Sequence, residues 1–207
     1  MNLLRIDSSV RVENSKTRTL TDFFLQELGK YTPFSLVRRD VGLNPPPIPN
    51  DEFVKANYTS PTDRTERMNE ILKTSDELIN ELLNANKIVM ASPMYNFSIP
   101  APLKAYIDNI VRVGRTFALG EDGTMNGLLG EKKILIITSR GAMSYKEDGV
   151  LAAFDFQEGY LKALCRFLGI TAIQFVNTEA QDFGKEELKD TNFEQAKMEL
   201  RELAKVW

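Results

Sequence analysis

Two periods of apolar residues alternate along this chain. Short continuous runs bounded by turn formers read as buried strands, and apolar positions recurring every three or four residues read as helices. Residues 3–6 form the first run and end in Asp-Ser-Ser. Leu20, Phe23, Phe24 and Leu28 then recur at helical spacing over 17–28. Residues 34–37 make a second brief strand. The segment LNPPPIPN after it is irregular, because proline continues neither a helix nor a central strand. Met68, Ile71, Leu72, Leu78, Ile79, Leu82 and Leu83 predict a long amphipathic helix over 64–84. KIVMA (87–91) is a buried strand. Pro100 and Pro102 suit the first turn of a helix running to about Arg112. Residues 114–130 are Gly-rich and read as an exposed excursion. ILIIT (134–138) is the strongest strand signal. A helix over 151–168, a strand over 170–176 and a closing helix over 185–207 complete the chain. In that last helix Phe193, Ala196, Leu200 and Leu203 face inward.

Five short apolar strands alternating with helices imply one parallel sheet covered on both faces. No Gly/Ser/Pro-rich linker divides the 207 residues, so they form a single domain, 1–207. Apolar residues make up 43%, enough for a sizeable core. A net charge of −3, with no Lys/Arg block longer than two, disfavours nucleic acid and anionic membranes as partners. The start MNLLRIDSSV lacks the pattern of a signal peptide, and no stretch has the length of a membrane span, which predicts a cytoplasmic protein. Cys165, the one cysteine, lies at helical apolar spacing in YLKALCRFLGI and reads as core. There is no histidine. That removes His-based triads and most zinc chemistry, so any reaction here needs another titrating group or a cofactor.

In an open parallel sheet, ligands bind beyond the carboxyl ends of the strands. Three segments there share a polar, small-residue composition. After the first strand, DSSVRVENSKTRT places Ser8, Ser9, Ser15, Thr17 and Thr19 at a helix N-terminus. Free amides and the helix dipole bind anions there, so this is either a phosphate cradle or a plain cap by Ser15 or Asn14. After the third strand, SPMYNFSIP offers an aromatic face to a planar ligand, or is a packed loop with Asn96 in a turn. After the fourth, TSRGAMSYKEDG allows close backbone approach at Gly141, with Arg140 as a ligand-facing cation or a solvated one. The three together describe a site for a planar, phosphate-bearing ligand, and FMN especially. Without GxGxxG or GxxxxGK[ST], dinucleotide folds and P-loops are disfavoured.

SPMYNFSIPAPLKAYIDNIVRVGRTF, with ITSRGA and SSVRVENSKT, resembles the FMN-dependent NADH:azoreductase family, relatives of NAD(P)H:quinone oxidoreductases. The resemblance spans the whole chain. It implies a flavodoxin-like three-layer sandwich with a five-stranded parallel sheet of order 2-1-3-4-5. It also implies a homodimer with FMN at the interface. Hydride would pass from NADH or NADPH to the flavin, and two electrons from there to a quinone or azo compound, in ping-pong order. Ser9, Ser15, Lys16 and Thr17 match the family's phosphate segment. Pro93, Met94, Tyr95, Asn96 and Phe97 match its flavin-ring loop. Ser139, Arg140, Gly141 and Ala142 match the loop along the ring's other edge. Phe117 and Phe167 match aromatic positions that help wall the substrate pocket, with the partner subunit as one source of them.

The chemistry would rest on the flavin, with no protein nucleophile and no metal, which suits a chain without histidine. Amides of Asn96, Phe97 and Gly141 are candidate donors to the ring's polar edge, where they would stabilise charge on reduction. Departures from the family are SKT where Ser-Gln-Ser is frequent, Ala142 where Gly is frequent, and ALGEDGTMN without the aromatic some relatives carry. Arg115 and Lys146 are candidates for telling NADPH from NADH. Two other readings use the same fold: an electron carrier or flavin sensor without its own small-molecule substrate, and a domain for some other phosphorylated ligand.

Overall fold

The computed structural model describes residues 1–145 and 148–207; Lys146 lies outside them. In chain order the elements are β1 (Asn2–Asp7), α1 (Lys16–Leu28), β2 (Ser35–Asp40), α2 (Asp51–Tyr58), α3 (Glu66–Asn84), β3 (Lys87–Pro93) and α4 (Ala101–Ile110). Then come β4 (Phe117–Leu119), β5 (Met125–Gly127), β6 (Lys133–Ser139), α5 (Phe156–Phe167), β7 (Ala172–Thr178) and α6 (Glu186–Ala204). Five of the strands form one parallel sheet, in the order β2-β1-β3-β6-β7.

Successive side chains on a strand point to opposite faces, and this alternation assigns the layers. Leu3, Val89, Leu135, Ile137 and Val176 face α1 and α6, where they bury Leu20, Phe24, Leu28, Ala196 and Leu200. Leu4, Ile6, Ile88, Met90, Ile134 and Ile136 face the other way, onto α3, α4 and α5, with Leu78, Leu103, Leu161 and Cys165. The result is a three-layer sandwich. Cys165 is core, as its spacing predicts, and burial pushes its thiol up to about 12.

The predicted strand order 2-1-3-4-5 needs one correction. Residues 114–130 are not a structureless excursion: β4 and β5 pair antiparallel within them, outside the main sheet. The two strands beyond β3 are therefore the sixth and seventh of the chain, and the order is 2-1-3-6-7. Gly120 and Gly123, which read as loop, support the tight connection between β4 and β5; Gly123 sits at φ 80°. Gly127 packs so closely on the turn after α5 that an added Cβ would meet the Gly169 amide nitrogen at 2.1 Å.

Three smaller differences have local causes. The α2 helix is absent from the periodic reading because eight residues bury only Phe53 and Ala56. It starts because the Asn50 side chain accepts from the Phe53 amide. Residues 151–168 are not one helix. A 3-10 turn, Ala152–Phe154, comes first, and Asp155 then caps α5 by accepting from the Gln157 and Glu158 amides. Leu83 is exposed, one position past the buried stripe of α3.

Gly42 links the frame to the loop after β1. A Cβ there would lie 2.1 Å from the Ser9 carbonyl oxygen. Gly42→Ala is expected to cost at least about 2 kcal/mol in urea unfolding, as overpacking does. An unchanged urea midpoint would show that this crossing has room to give.

Candidate functional site

Parallel pairing brings the carboxyl ends of β1, β3, β6 and β7 to one edge of the sheet. The ladders continue into the loops. The Ser8 amide donates to the Ala91 carbonyl (3.0 Å), the Met94 amide to Ser139 (2.8 Å) and the Arg140 amide to Thr178 (2.9 Å). Each loop thus leaves its strand in a fixed register to the next.

After β1, Ser8 and Ser9 are buried. The Ser8 hydroxyl donates to the Ala91 carbonyl, while Ser9 Oγ accepts the Arg11 amide and lies 3.4 Å from the Tyr95 hydroxyl. Asn14 turns the chain at φ 56°, and Ser15 caps α1 by accepting from the Arg18 amide. Among the described residues, the Lys16 and Thr17 amides donate to no protein acceptor, as the first turn of a helix dictates. Arg18 braces this loop from behind. Its Nη2 donates to the Ser9 carbonyl (2.7 Å) and its guanidinium forks onto Asp40 (2.5 and 2.8 Å). The hydrogen bond to Asp40 raises the Arg18 pKa against the opposing effect of burial. Burial would raise Asp40, but Arg18 and the Leu43 and Gly42 amides outweigh it and hold its carboxyl below the ordinary value. Beneath them Arg5 pairs with Asp7 and Asp22.

After β3, residues 95–98 form a tight hairpin turn. The Tyr95 amide donates to the Ser98 carbonyl (3.0 Å), and the Ser98 amide to Tyr95 (3.1 Å). Both central residues have positive φ, Asn96 at 48° and Phe97 at 69°. Asn tolerates that region; for Phe it is strain of about 1–3 kcal/mol. The Asn96 and Phe97 amides have no protein acceptor among the described residues, so the turn presents two free donors. The elbow is held by Gln157 of α5, fully buried, whose Nε2 donates to the Ser92 carbonyl, the Ser92 hydroxyl and the Pro93 carbonyl at 3.0–3.1 Å.

After β6, Gly141 and Ala142 meet the loop after β7. The Gly141 carbonyl accepts from the Asp182 and Phe183 amides, and the Ala142 carbonyl from Ala180. The expected ligand-facing cation is absent. Arg140 is 1% exposed and paired with Asp155 (2.7 Å), Glu158 (3.3 Å) and Glu179 (3.3 Å), below the ring of Tyr145. A guanidinium this deeply buried needs its charge balanced, and the three carboxylates supply that balance.

Two cavities of about 190 Å³ each open along this edge. One is lined by Ser9, Ser15, Lys16, Thr17, Pro93, Met94, Tyr95 and Ser139, together with Arg11, Asn14, Gln181 and Asp182. The other is lined by Met94, Asn96, Phe97, Gly141 and Ala142, together with Tyr145, Asp182 and Phe183. They meet at Met94 and Asp182 and form one cleft. The first end offers hydroxyls, cations and the free amides of a helix start, suited to an anion. The second offers flat apolar walls and turn amides, suited to a planar ring. Gln181 adds a buried Oε1 with no donor among the described residues, next to the polar end.

Twelve of the thirteen candidate binding residues therefore border the cleft, and the thirteenth, Arg140, lies behind it. Phe117 and Phe167 are not brought there: they pack on one another at 5.1 Å where β4 approaches α5. Arg115 is held by Asp76 and Asn80 of α3 and borders neither cavity. Half of the lining residues outside the candidate set, Gln181, Asp182 and Phe183, come from NTEAQDFG. That segment also follows a strand and is as polar and small-residue-rich as the other three. A larger cavity, about 530 Å³, lies at the opposite end beside Asn2, Val37, Arg39 and Glu81, away from every loop just described.

Residues 1–204 match a family described by its flavodoxin-like fold. The FMN-dependent NADH:quinone oxidoreductase 2 of Trichormus variabilis is 39% identical over 207 residues, covering 100% of this chain and 99% of its own. The FMN-dependent NADH:quinone oxidoreductase of Legionella pneumophila is 36% identical, covering 98% and 97%. Among solved structures, an azoreductase from Bacillus anthracis superposes with a TM-score of 0.90 at 24% identity over 100% of both chains. A second B. anthracis structure, an FMN-dependent NADH-azoreductase in complex with FMN, gives 0.85 at 23% identity over 98% of this chain and 99% of that one.

The Arg140 network generates a test. Replacing one partner of a buried ionic cluster costs about 3–5 kcal/mol, so Arg140→Gln should lose that much in urea unfolding at neutral pH. Burial raises the Glu158 pKa, but Lys162, Asn177 and Arg140 outweigh it and hold it below the ordinary carboxylate value. Its stabilisation is therefore present above the carboxylate range and lost as pH falls through it. The variant has less of it to lose, so the gap between the two stability curves should narrow on acidification. A constant gap would place the effect outside this network.

Proposed function

We propose that this chain, which belongs to the flavodoxin-like fold family, is an FMN-dependent NADH oxidoreductase that reduces quinones and azo compounds. The observation that carries the reading is the pairing of an anion-binding end and a planar end in one cleft. That cleft sits on a chain 39% identical, along its full length, to an FMN-dependent NADH:quinone oxidoreductase.

The cleft suits FMN. The Lys16 and Thr17 amides and the hydroxyls of Ser9, Ser15 and Thr17 would hold the phosphate at the start of α1. Gln181 Oε1, without a protein donor among the described residues, would be free to accept from a ligand hydroxyl. Met94, Tyr95, Asn96, Phe97, Gly141 and Ala142 would hold the ring, with Pro93 and Ser139 at the base of their loops. Bound FMN would supply the redox chemistry that links NADH to the acceptor. The protein's own part is orientation and charge. The unpaired Asn96 and Phe97 amides would present fixed dipoles to the ring and stabilise the charge it gains on reduction. Their turn is preset by Gln157 and the Tyr95–Ser98 hydrogen bonds, so little reorganisation accompanies reduction. Arg140 serves from behind by holding its loop.

The working unit we propose is a homodimer of single-domain chains, with the flavin at the interface. Support comes from the apolar side chains around the ring end: Phe97, Met143, Phe154, Phe156 and Phe183 are all exposed, and Phe97 packs on Phe154 at 5.4 Å. A cluster of this size is unusual on a monomer, and a second copy would cover it. Phe117 and Phe167 line neither cavity of their own chain, and we infer that they serve the cleft of a partner. The exposed aromatics cluster at the N-terminal end of α5. The outer face of α4 presents the Lys104–Asp108 ion pair instead. Among the described residues no helix is long and apolar enough to cross a membrane. The reading places the enzyme in the cytoplasm, with NADH.

The purified chain should be yellow, release FMN on denaturation, and oxidise NADH when benzoquinone is present. A colourless chain that ignores added FMN would sink the reading. An electron carrier of the same fold would take up FMN but show almost no NADH oxidation without a reductase.

Pro93 and Gln157 should matter more to flavin retention than to the fold. Pro93→Gly loosens the elbow and is expected to raise the FMN dissociation constant on the order of tenfold, with a melting temperature lowered by only a few degrees. Equal losses in a flavin titration and a melting curve would make the elbow merely structural.

A further inference from the structure

Arg11 and Asp182 stand across the mouth of the cleft from one another, and this pair has a role of its own, resting on the flavin reading above. Arg11 belongs to the loop after β1 and Asp182 to the loop after β7; both line the anion end, and Asp182 also lines the ring end. Arg11 Nη1 and Nη2 lie 3.5 and 3.4 Å from the same Asp182 Oδ1. The two side chains are about half exposed, at 55% and 47%. A pair this long and this wet is weak, worth less than about 1 kcal/mol.

The neighbouring cations are differently placed. Arg18 is committed, with contacts of 2.5 and 2.8 Å to Asp40 and 2.7 Å to the Ser9 carbonyl. Lys16 rides over the Phe193 ring of α6, its Nζ 4.9 Å from the centroid. Of the three, Arg11 presents at the cleft mouth a cation whose one ionic partner among the described residues is a distant carboxylate. A guanidinium fork fits a phosphate in two-point contact, and a dianion outbids a single, half-solvated carboxylate. Asp182 meanwhile puts a negative charge beside the place a phosphate must occupy.

We propose that Arg11 is the residue by which this protein selects phosphorylated over unphosphorylated flavin. It exchanges Asp182 for the phosphate on binding, and Asp182 restrains it until a phosphate arrives. Riboflavin offers Arg11 nothing to exchange for, so the pair stays closed over the anion end. FMN releases Arg11, and the repulsion of Asp182 by the phosphate sets how tightly the cofactor is kept.

The test is a fluorescence-quenching titration of the full chain, stripped of flavin, with FMN and separately with riboflavin. Arg11→Ala should raise the dissociation constant for FMN about tenfold, the equivalent of one charge-assisted hydrogen bond. Its effect on riboflavin should stay within about twofold. Arg11→Lys should fall between, keeping the charge and losing the fork. Asp182→Asn should tighten FMN several-fold, and the Arg11→Ala loss should grow as salt is lowered. Both residues are exposed, so melting temperatures should barely move and folding will not obscure the result. Equal effects of Arg11→Ala on the two flavins, no effect on FMN, or weaker FMN binding by Asp182→Asn would each overturn the inference. A wild-type chain that quenches neither flavin would overturn the flavin reading itself, and the inference with it.

Discussion

Burying a parallel sheet on both faces is the constraint on which the molecule depends. Each inner strand must alternate apolar side chains to two different helix layers, so Leu3 and Leu4, or Val89 and Met90, enter separate cores. Every crossover must also leave from the same edge of the sheet. Four loops then gather within reach of one another, carrying backbone amides that the ladder no longer satisfies. The site follows from the way the core is built: it occupies the edge where pairing stops.

Loops assembled from four separate strand ends would be mobile without support, and the support here is polar and buried. Arg18 grips the Ser9 carbonyl, Gln157 grips Ser92 and Pro93, and Arg140 gathers three carboxylates behind the loop after β6. None of these supporting groups needs to touch a ligand. Each has its stabilisation tied to a precise partner, so each holds one loop position and penalises the alternatives. The strain at Phe97 fits this picture. A phenylalanine at φ 69° persists only where hydrogen bonds on either side over-determine the turn, and here they do. The benefit is two unpaired amides pointing out of a rigid elbow.

The cleft divides its labour by charge. Hydroxyls, helix-start amides and cations occupy one end; aromatic and aliphatic walls occupy the other. The exposed aromatics around the apolar end extend this division onto the surface, where a second chain and an electron acceptor would both find a flat apolar face. The Arg11–Asp182 pair crosses the boundary between the two ends, which is why its loose geometry bears on which ligands enter.

Much of this was legible in the residues alone. Strand and helix periods gave the layers because alternation every two or every 3.6 residues is a local property of the backbone. Three of the four site loops stood out by composition, and twelve of the thirteen candidate residues drawn from them border the cleft. The motif MYNF before IPxxLKxYID pointed to the family. What the residues left open was long-range. The β4–β5 pair hides in a Gly-rich segment because each strand has only three residues, too few for a period. The placement of Asp182 opposite Arg11 depends on register across the sheet, since the two are 171 positions apart in sequence. Arg140 shows the limit most plainly. By sequence it is a cation beside a ligand loop; in the fold it is sealed among Asp155, Glu158 and Glu179, because only tertiary packing decides which charges meet and which are left to the solvent.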